Sequence, residues 1–325
     1  METIDYSVII RTVGSAGQKY QALLDSVAAL EPQPKEVIVV LPEGYAKPKE
    51  QLGWETFYYS PKGMVNQRSL GIRMCKTKYA LVCDDDICFG KDFVRKLYEP
   101  LWQVLGTFSI APLYEMLPSN LGKYLVSFFT AKGVPTLFHR GDRYISVLRS
   151  SGFSYNRHMK PGKFYETQSA PGACFFADTK ACRSLDFGAE LWLQSGNYAF
   201  LEDQTLYYKA CLRGKRVIAV PDASYKHLDA KSARTTGVSP SLYPQEFNRI
   251  VFWHRFIYSQ QRGWFGRVLT WLCFGYLYIV TYCKDLLYLL IGKNTPECIR
   301  RINEAHRDAW AYIRSEEYAS LEPVR

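Results

Sequence analysis

Two short apolar runs near the start of the chain are separated by a stretch with helical periodicity. Tyr6 to Thr12 and Glu36 to Leu41 are rich in β-branched residues and lack polar alternation, which is typical of strands buried on both faces. Between them, apolar residues recur at the spacing of one helix face, at Tyr20, Leu23, Leu24, Val27 and Ala28. A strand, a helix and a second strand in succession predict a parallel βαβ unit and therefore an α/β fold.

Later segments continue this alternation of apolar runs and helical stretches. The pattern predicts helices at 65–74 and 203–212, and strands at 79–83, 108–113, 171–177 and 216–220. Gly214 is placed to end the second helix in a left-handed conformation. Residues 118–168 carry basic side chains among aromatic and turn residues, and we predict an insertion with little regular structure beside a site.

The character of the chain changes near residue 240, which divides a predicted α/β domain (1–240) from a helical region (241–325). In that region Val268 to Cys283 has no charged residue, and after Lys284 and Asp285 the apolar run continues to Ile291. The run is long enough for a marginal membrane span. Because both flanks are basic and tyrosines lie inside the run, we favour two in-plane or shallowly re-entrant helices at the cytosolic membrane surface. A buried helical hairpin is the alternative.

Composition narrows the choice of partners. A net charge of +10 would suit nucleic acid, anionic lipid or phosphorylated substrates. No nucleic-acid-binding motif accompanies that charge, so we expect lipid and nucleotide diphosphate rather than nucleic acid. The nine cysteines show no metal-binding spacing and predict reduced thiols in a cytosolic protein. Met1 to Asp5 is acidic and resembles no signal peptide, and none is expected.

The first candidate for chemistry is the triple aspartate Asp84, Asp85 and Asp86, which follows the predicted strand 79–83 directly. If that strand continues, Asp84 and Asp86 point to the same face. Two such carboxylates suit Mg²⁺ or Mn²⁺, with phosphate oxygens and water as further ligands. Three adjacent negative charges are unfavourable without a cation, which favours a metal site over a solvated acidic turn.

The second candidate is the pair Glu202 and Asp203, which opens the helix predicted at 203–212. Asp203 could act as general base towards an acceptor hydroxyl, because the positive end of a helix keeps a carboxylate ionised. It could instead only cap the helix, and Glu202 could orient the acceptor or simply be solvated. Arg68 could contact a phosphate or be an exposed helix residue. His227 could bind metal or phosphate, or be an ordinary loop histidine.

Five segments occur in the order in which similar motifs occur in family 2 glycosyltransferases, across about residues 6–227. They are Ser7–Thr12, the Q-R-S-x-G-I segment Gln67–Ile72, the D-x-D segment Val82–Asp86, the G-A-x-x-F segment Gly172–Phe176 and the pair Glu202–Asp203. His227 falls where the family often has a late histidine. The chain departs from the family pattern at Arg11, where proline is usual, and at Ser69, which replaces asparagine.

The resemblance implies the GT-A fold, a Rossmann-like α/β fold with a mostly parallel central sheet, followed here by membrane-associated helices. It places a donor-binding group at the nucleotide sugar, made up of Arg11, Thr12, Arg68, Asp84 and Asp85. It places Gly172 and Ala173 on the acceptor side. It makes Asp203 the catalytic base beside Glu202. It also implies Mn²⁺ or Mg²⁺ held by Asp86 and His227.

By this resemblance the chain is expected to be an inverting, metal-dependent glycosyltransferase. It would move a sugar from a nucleotide-diphosphate donor to a glycan or lipid-linked acceptor, in cell-surface polysaccharide synthesis at the cytoplasmic side of the membrane. The Q-x-x-R-W segment of processive synthases is absent, which favours single additions. Two alternatives stay open. One is nucleotidyl or methyl transfer, supported only by the Gly14–Gly17 turn, and the other is a non-catalytic membrane-associated scaffold.

Overall fold

A computed structural model describes residues 3–114, 117–130, 141–156, 159–196, 198–228 and 238–325. Its strands are β1 (Tyr6–Arg11), β2 (Glu36–Pro42), β3 (Thr56–Ser60), β4 (Tyr79–Asp84), β5 (Ile87–Phe89), β6 (Phe108–Ile110), β7 (Ile145–Val147), β8 (Phe153–Tyr155), β9 (Tyr165–Glu166), β10 (Cys174–Asp178), β11 (Val217–Ala219) and β12 (Tyr225–His227). Its helices are α1 (Gln18–Ala28), α2 (Met64–Met74), α3 (Phe93–Trp102), α4 (Leu121–Phe129), α5 (Thr179–Ser184), α6 (Glu202–Leu212), α7 (Leu242–Phe252), α8 (Trp264–Leu290), α9 (Pro296–Ile313) and α10 (Glu316–Ala319).

The central sheet has eight strands in the order β3-β2-β1-β4-β10-β6-β11-β9. β1 is parallel to both β2 and β4, and β2 is parallel to β3, which confirms the βαβ unit predicted from the first two apolar runs. β10 runs antiparallel between β4 and β6. Two small antiparallel ladders pair β5 with β12 and β7 with β8. The predicted α/β architecture with a mostly parallel central sheet is confirmed.

Each face of this sheet is covered, which explains why the central strands are apolar at almost every position. Successive residues of β1 enter different clusters: Ile9 packs with α2 and α6 residues, whereas Val8 and Ile10 pack with α1 and α3 residues. The charged side chains of β1 and β4, Arg11 and Asp84, are the last residues of these strands. The candidate site is found at these carboxyl ends.

Residues 118–168 contain more regular structure than the sequence pattern indicated. α4, the β7–β8 hairpin and β9 all lie in this stretch, and β9 pairs with β11 at the edge of the central sheet. The edge position explains part of the difference, because two-residue β9 is formed by its pairing with β11 and not by a local apolar pattern.

The C-terminal region is helical, as predicted, but its apolar run forms one continuous helix. α8 is 27 residues long, so the expected pair of helices within the run is wrong. Among the described residues, α8 is the one helix whose length and apolar composition would allow it to cross a membrane. Only 17% of its most apolar 18-residue window is buried. Trp253 stacks on Phe274 of α8 with ring centroids 4.0 Å apart. The domain boundary near residue 240 stays a prediction.

A buried ion cluster connects these C-terminal helices to the rest of the fold. Glu190, which has no exposed surface, accepts a hydrogen bond from Lys209 of α6 at 2.7 Å. It also accepts two hydrogen bonds, both at 2.9 Å, from Arg255, which lies in the π-helical turn that follows α7. One carboxylate therefore pairs with two buried cations from different parts of the chain.

We expect Glu190→Gln to lower the free energy of unfolding by about 3–5 kcal/mol, because it leaves Lys209 and Arg255 buried without their anion. Urea unfolding followed by circular dichroism measures the change. The matched control is Glu31→Gln, whose exposed partner Lys91 lies 3.3 Å away and whose loss should cost about 0–1 kcal/mol. Equal midpoints for the two variants would show that the cluster does not hold the regions together.

Candidate active site

The ends of β1 and β4 bring the first part of the site together. These parallel strands pair Arg11 with Asp84 in register. Arg11 Nε lies 2.5 Å from Asp84 Oδ1, and Nη2 donates to Oδ2 at 3.0 Å, which is a bidentate ion pair. One residue further on, the Thr12 hydroxyl donates to Asp85 Oδ2 at 2.5 Å. The sheet register therefore positions Arg11 and Asp84, and the hydrogen bond just beyond the strand ends brings Thr12 and Asp85 together.

The triple aspartate does not form a continuing strand. β4 ends at Asp84, and Asp85 and Asp86 form a turn before β5. The conditional expectation that Asp84 and Asp86 share a face by strand alternation is therefore not met. Asp84 binds Arg11, whereas Asp86 Oδ1 lies 3.2 Å from His227 Nε2. The pairing of β12 with β5 brings His227 to this position.

Asp86 and His227 are compatible with a shared divalent cation. Neighbouring ligands of an octahedral ion with bonds of about 2.1 Å lie about 3.0 Å apart, close to the 3.2 Å between these two atoms. Burial opposes ionisation of Asp86, yet the hydrogen bond and charge of His227 hold its pKa below the ordinary value. Within the described ranges no three His, Cys, Asp or Glu side chains form a metal-binding group. Of the residues that the structure describes, these two could act as ligands, with substrate oxygens and water at further positions.

Glu202 and Asp203 form the first turn of α6, beside the same strand ends. The residue that caps this helix is Leu201, with a left-handed φ of 65°, so the alternative that Asp203 serves only as the cap is wrong. Glu202 is buried and accepts a hydrogen bond from Arg11 Nη1 at 2.7 Å, so it is not a solvated side chain. Asp203 Oδ1 accepts one from Arg68 Nη1 at 3.2 Å.

Arg11 and Arg68 are two buried cations among three carboxylates. Burial opposes their charge, but Asp84 and Glu202 raise the pKa of Arg11 well above its ordinary value, and Glu202 does the same for Arg68 to a smaller extent. Arg68 is thus not an exposed helix residue. Among the described residues, its Nε has no hydrogen-bond partner, which is unfavourable for a fully buried donor.

Gly172 lies directly against the carboxylate of Asp203. A Cβ at position 172 would fall 1.5 Å from Asp203 Cγ and within 1.8 Å of both carboxylate oxygens. The next residue, Ala173, accepts a hydrogen bond from the Asp84 amide at 2.8 Å. The two predicted acceptor-side residues therefore adjoin both acidic clusters, and only glycine leaves space for Asp203.

Asp203 faces a cavity of about 710 Å³ that Arg11, Asp84, Gly172 and His227 also line. Burial and the neighbouring charges of Glu202 and Asp84 raise the pKa of Asp203 to about 6, against the opposing effect of Arg68 and Arg11. A carboxylate with a raised pKa is a stronger base and is still mostly ionised at neutral pH. The geometry suits removal of a proton from a bound hydroxyl.

Several residues that line the cavity were not predicted from the sequence. Phe153 and Tyr155 come from β8, and Tyr198, Phe200 and Leu201 precede α6. Aromatic side chains suit contact with sugar rings, but aromatic residues also fill the core throughout this chain. Composition alone could not separate the two roles, because proximity to Asp203 depends on long-range packing.

Comparison with solved structures gives the fold an independent reference. Residues 1–349 of S. aureus TarS match with a TM-score of 0.52 and 13% identity, over 98% of this chain and 83% of that one. The TarS complex with UDP-GlcNAc matches with a TM-score of 0.53 and 12% identity, over 98% and 84%. GalNAc-T7 with UDP, GalNAc and Mn²⁺ matches with a TM-score of 0.53 and 13% identity, over 98% and 58%. No protein-family model and no curated protein sequence matches the chain.

These likenesses identify the fold. TarS and GalNAc-T7 are glycosyltransferases with a GT-A-like fold, and the described residues share that architecture. GalNAc-T7 belongs to glycosyltransferase family 27, so the likeness does not single out family 2. At this level of identity, substrate and chemistry have to be argued from the site itself.

Proposed function

We propose that the chain is an inverting glycosyltransferase that uses a nucleotide-diphosphate sugar. The observation that carries this proposal is the Asp203 carboxylate, which faces the cavity beside Gly172 with a pKa raised to about 6. It lies on a fold whose solved examples include complexes with UDP-GlcNAc and with UDP, GalNAc and Mn²⁺. The acceptor would be a hydroxyl of a glycan or lipid-linked molecule in cell-surface polysaccharide synthesis.

In the proposed reaction Asp203 takes the proton of the acceptor hydroxyl as its oxygen forms a bond to the anomeric carbon. The bond from that carbon to the donor diphosphate breaks, and the diphosphate leaves with the electron pair. Gly172 leaves space for the base, and Arg68 orients it at 3.2 Å. Arg11, which lines the cavity, could donate to the leaving group as that group becomes more negative, although Asp84 and Glu202 offset its charge.

Asp86 and His227 would hold Mn²⁺ or Mg²⁺, in keeping with their 3.2 Å separation. Such an ion would neutralise charge on the leaving diphosphate. Thr12 and Asp85 would lie near the nucleotide, because they are hydrogen-bonded to each other just beyond the ends of β1 and β4. Family 2 membership rests on the ordered motifs in the sequence.

We further propose that the protein works at the cytosolic membrane surface, as a peripheral or monotopic protein. Support comes from α8, whose large apolar side chains are exposed along much of its length, including Trp264, Phe265, Trp271, Leu272 and Leu290. An exposed apolar surface of this kind is typical of a lipid or protein contact. Basic residues before and after the helix favour an anionic lipid surface.

The proposal predicts metal-dependent nucleotide binding. We expect one of UDP, GDP or dTDP, tested beside the monophosphate CMP, to raise the thermal unfolding temperature in Mn²⁺ but much less in EDTA, because ligand binding stabilises the folded state. Asp86→Ala should remove most of the Mn²⁺ dependence, whereas Asp92→Ala, which removes an exposed pairing with Lys96, should not. The absence of any nucleotide effect would favour the non-catalytic scaffold. An adenosyl cofactor that binds without metal would favour methyl transfer.

A further inference from the structure

A second cavity, of about 790 Å³, adjoins the candidate active site. Phe153, Tyr155, Phe200 and Leu201 line both cavities. Asp203 lies on the first cavity only, and the second extends from the shared side chains towards α4, α7 and α8. A molecule bound in the second cavity would therefore be held on the side of these four residues away from the donor.

The second cavity contains a buried cation that lacks a full set of partners. Arg249 of α7 is 8% exposed and lines the cavity, and its Nε has no hydrogen-bond partner among the described residues. Burial lowers the pKa of Arg249, against the opposing effect of Glu246, also on α7, and Asp285 of α8. Both carboxylates have other partners: Glu246 binds His306, and Asp285 binds Lys284. An anionic ligand in the cavity could accept hydrogen bonds from this guanidinium.

The part of the cavity wall formed by α4 also favours binding of an anion. The first turn of α4 lines the cavity through Asn120, Gly122 and Lys123. The amino terminus of a helix carries partial positive charge, and Lys123 adds a full charge there. A buried arginine, a helix start and a lysine thus surround the same space.

The cavity also opens beside an apolar surface. Val126 of α4 and Tyr288 of α8 line it. The two helices are joined where the Tyr276 hydroxyl donates to the Phe129 carbonyl at 2.6 Å. Large apolar side chains are exposed on both helices near it, namely Leu121, Leu125, Phe129, Leu287 and Leu290. An apolar chain attached to a bound anion could lie against these side chains.

We propose that this second cavity is the acceptor subsite for a phosphate group attached to an apolar lipid chain. Arg249 and Lys123 hold the phosphate, the lipid chain lies along α4 and α8, and the sugar part of the acceptor passes the shared aromatic side chains to Asp203. This assignment rests on the proposed glycosyl transfer and specifies its acceptor class. Arg249 here binds substrate and takes no part in proton transfer.

The test uses the full chain and isothermal titration with geranyl diphosphate, a short soluble lipid phosphate. Arg249→Gln should weaken its binding by roughly 10–100-fold, the value of a lost hydrogen bond to a charged group, and Lys123→Gln should weaken it less. Arg307→Gln on α9 is the matched control, since that side chain is 74% exposed and lies away from the cavity. Nucleotide binding with Mn²⁺ should be the same in all four proteins. Unchanged affinity in Arg249→Gln would overturn the assignment, and if that variant does not fold, unchanged affinity in Lys123→Gln would do so.

Three further titrations identify what the cavity recognises. Geraniol, which has no phosphate, should bind weakly, and inorganic diphosphate should bind less tightly than geranyl diphosphate. Equal affinity for the two diphosphates would mean a plain anion site and would overturn the lipid part. Displacement of geranyl diphosphate by UDP would place the probe in the donor site and overturn the whole assignment. If the protein binds nucleotide but not geranyl diphosphate, only the lipid-phosphate subsite is wrong. If it binds geranyl diphosphate but no nucleotide, the proposed glycosyl transfer is wrong.

Discussion

Asp203→Asn is expected to lower kcat by about 10²–10⁴-fold, the usual contribution of a general base. The amide keeps the size of the side chain and can still contact Arg68, which lies 3.2 Å from Oδ1 in the native protein. Nucleotide binding should therefore stay close to normal. The measurement is nucleotide release from the cognate donor in the presence of acceptor, alongside nucleotide affinity by titration.

Two observations would separate the base from a merely structural carboxylate. The native enzyme should lose activity as the pH falls through about 6, because protonated Asp203 cannot accept the hydroxyl proton. In Asp203→Asn that pH dependence should disappear. Glu202→Gln is the matched comparison: Glu202 is buried between Arg11 and Arg68, so its loss should destabilise the fold as well as the site. Lost nucleotide affinity in Asp203→Asn would contradict the assignment of the base.

The parallel part of the fold was predictable because its strands are buried on both faces. Runs such as Tyr6 to Thr12 and Glu36 to Leu41 have almost no polar position, so neither a surface strand nor an amphipathic helix fits them. The helix at 202–212 and its end near Gly214, which has a φ of 74°, were also readable from local chemistry. In these elements the local preference and the tertiary packing agree.

Long-range pairing explains one prediction that differs from the structure, and local chemistry explains another. The strand ends at Asp84 because the following residues turn into β5, whose partner β12 lies about 140 residues further along the chain. The apolar run near 280 stays one helix because Lys284 and Asp285 interrupt the apolar pattern but not the helical backbone. A break in an apolar run is therefore not by itself a break in a helix.

The candidate site also combines residues that the local sequence indicated with contacts that only the fold reveals. Residue types at Asp84, Asp86, Glu202 and Asp203 indicated acidic chemistry, and the structure brings these clusters together at the ends of β1, β4 and the start of α6. Arg11 stands where family 2 glycosyltransferases usually have proline, and the structure shows what it contacts. Its guanidinium joins Asp84 to Glu202, residues 118 positions apart, through bonds of 2.5 and 2.7 Å. No local pattern predicts such a bridge.

Gly172→Ala is expected to lower kcat by about 10²-fold, the order of loss that follows a displacement of about 1 Å at a reacting group. The added methyl would meet Asp203 Cγ at 1.5 Å. Because the obstacle is the end of a movable side chain, the carboxylate would turn away while the backbone keeps its fold. The thermal unfolding temperature should then change little. Gly90→Ala is the control, since its Cβ would come no closer than 3.5 Å to another atom.

A double-mutant cycle shows whether Gly172 acts through Asp203. If its only task is to leave space for that carboxylate, Gly172→Ala should cause little further loss in an Asp203→Asn background, where the base is already absent. Residues that act as one unit are strongly non-additive in this way. Full additivity of the two losses would mean that Gly172 serves the acceptor or the backbone directly. If Gly172→Ala alone raised the KM for the acceptor at unchanged kcat, the loss would lie in acceptor binding and not in the position of the base.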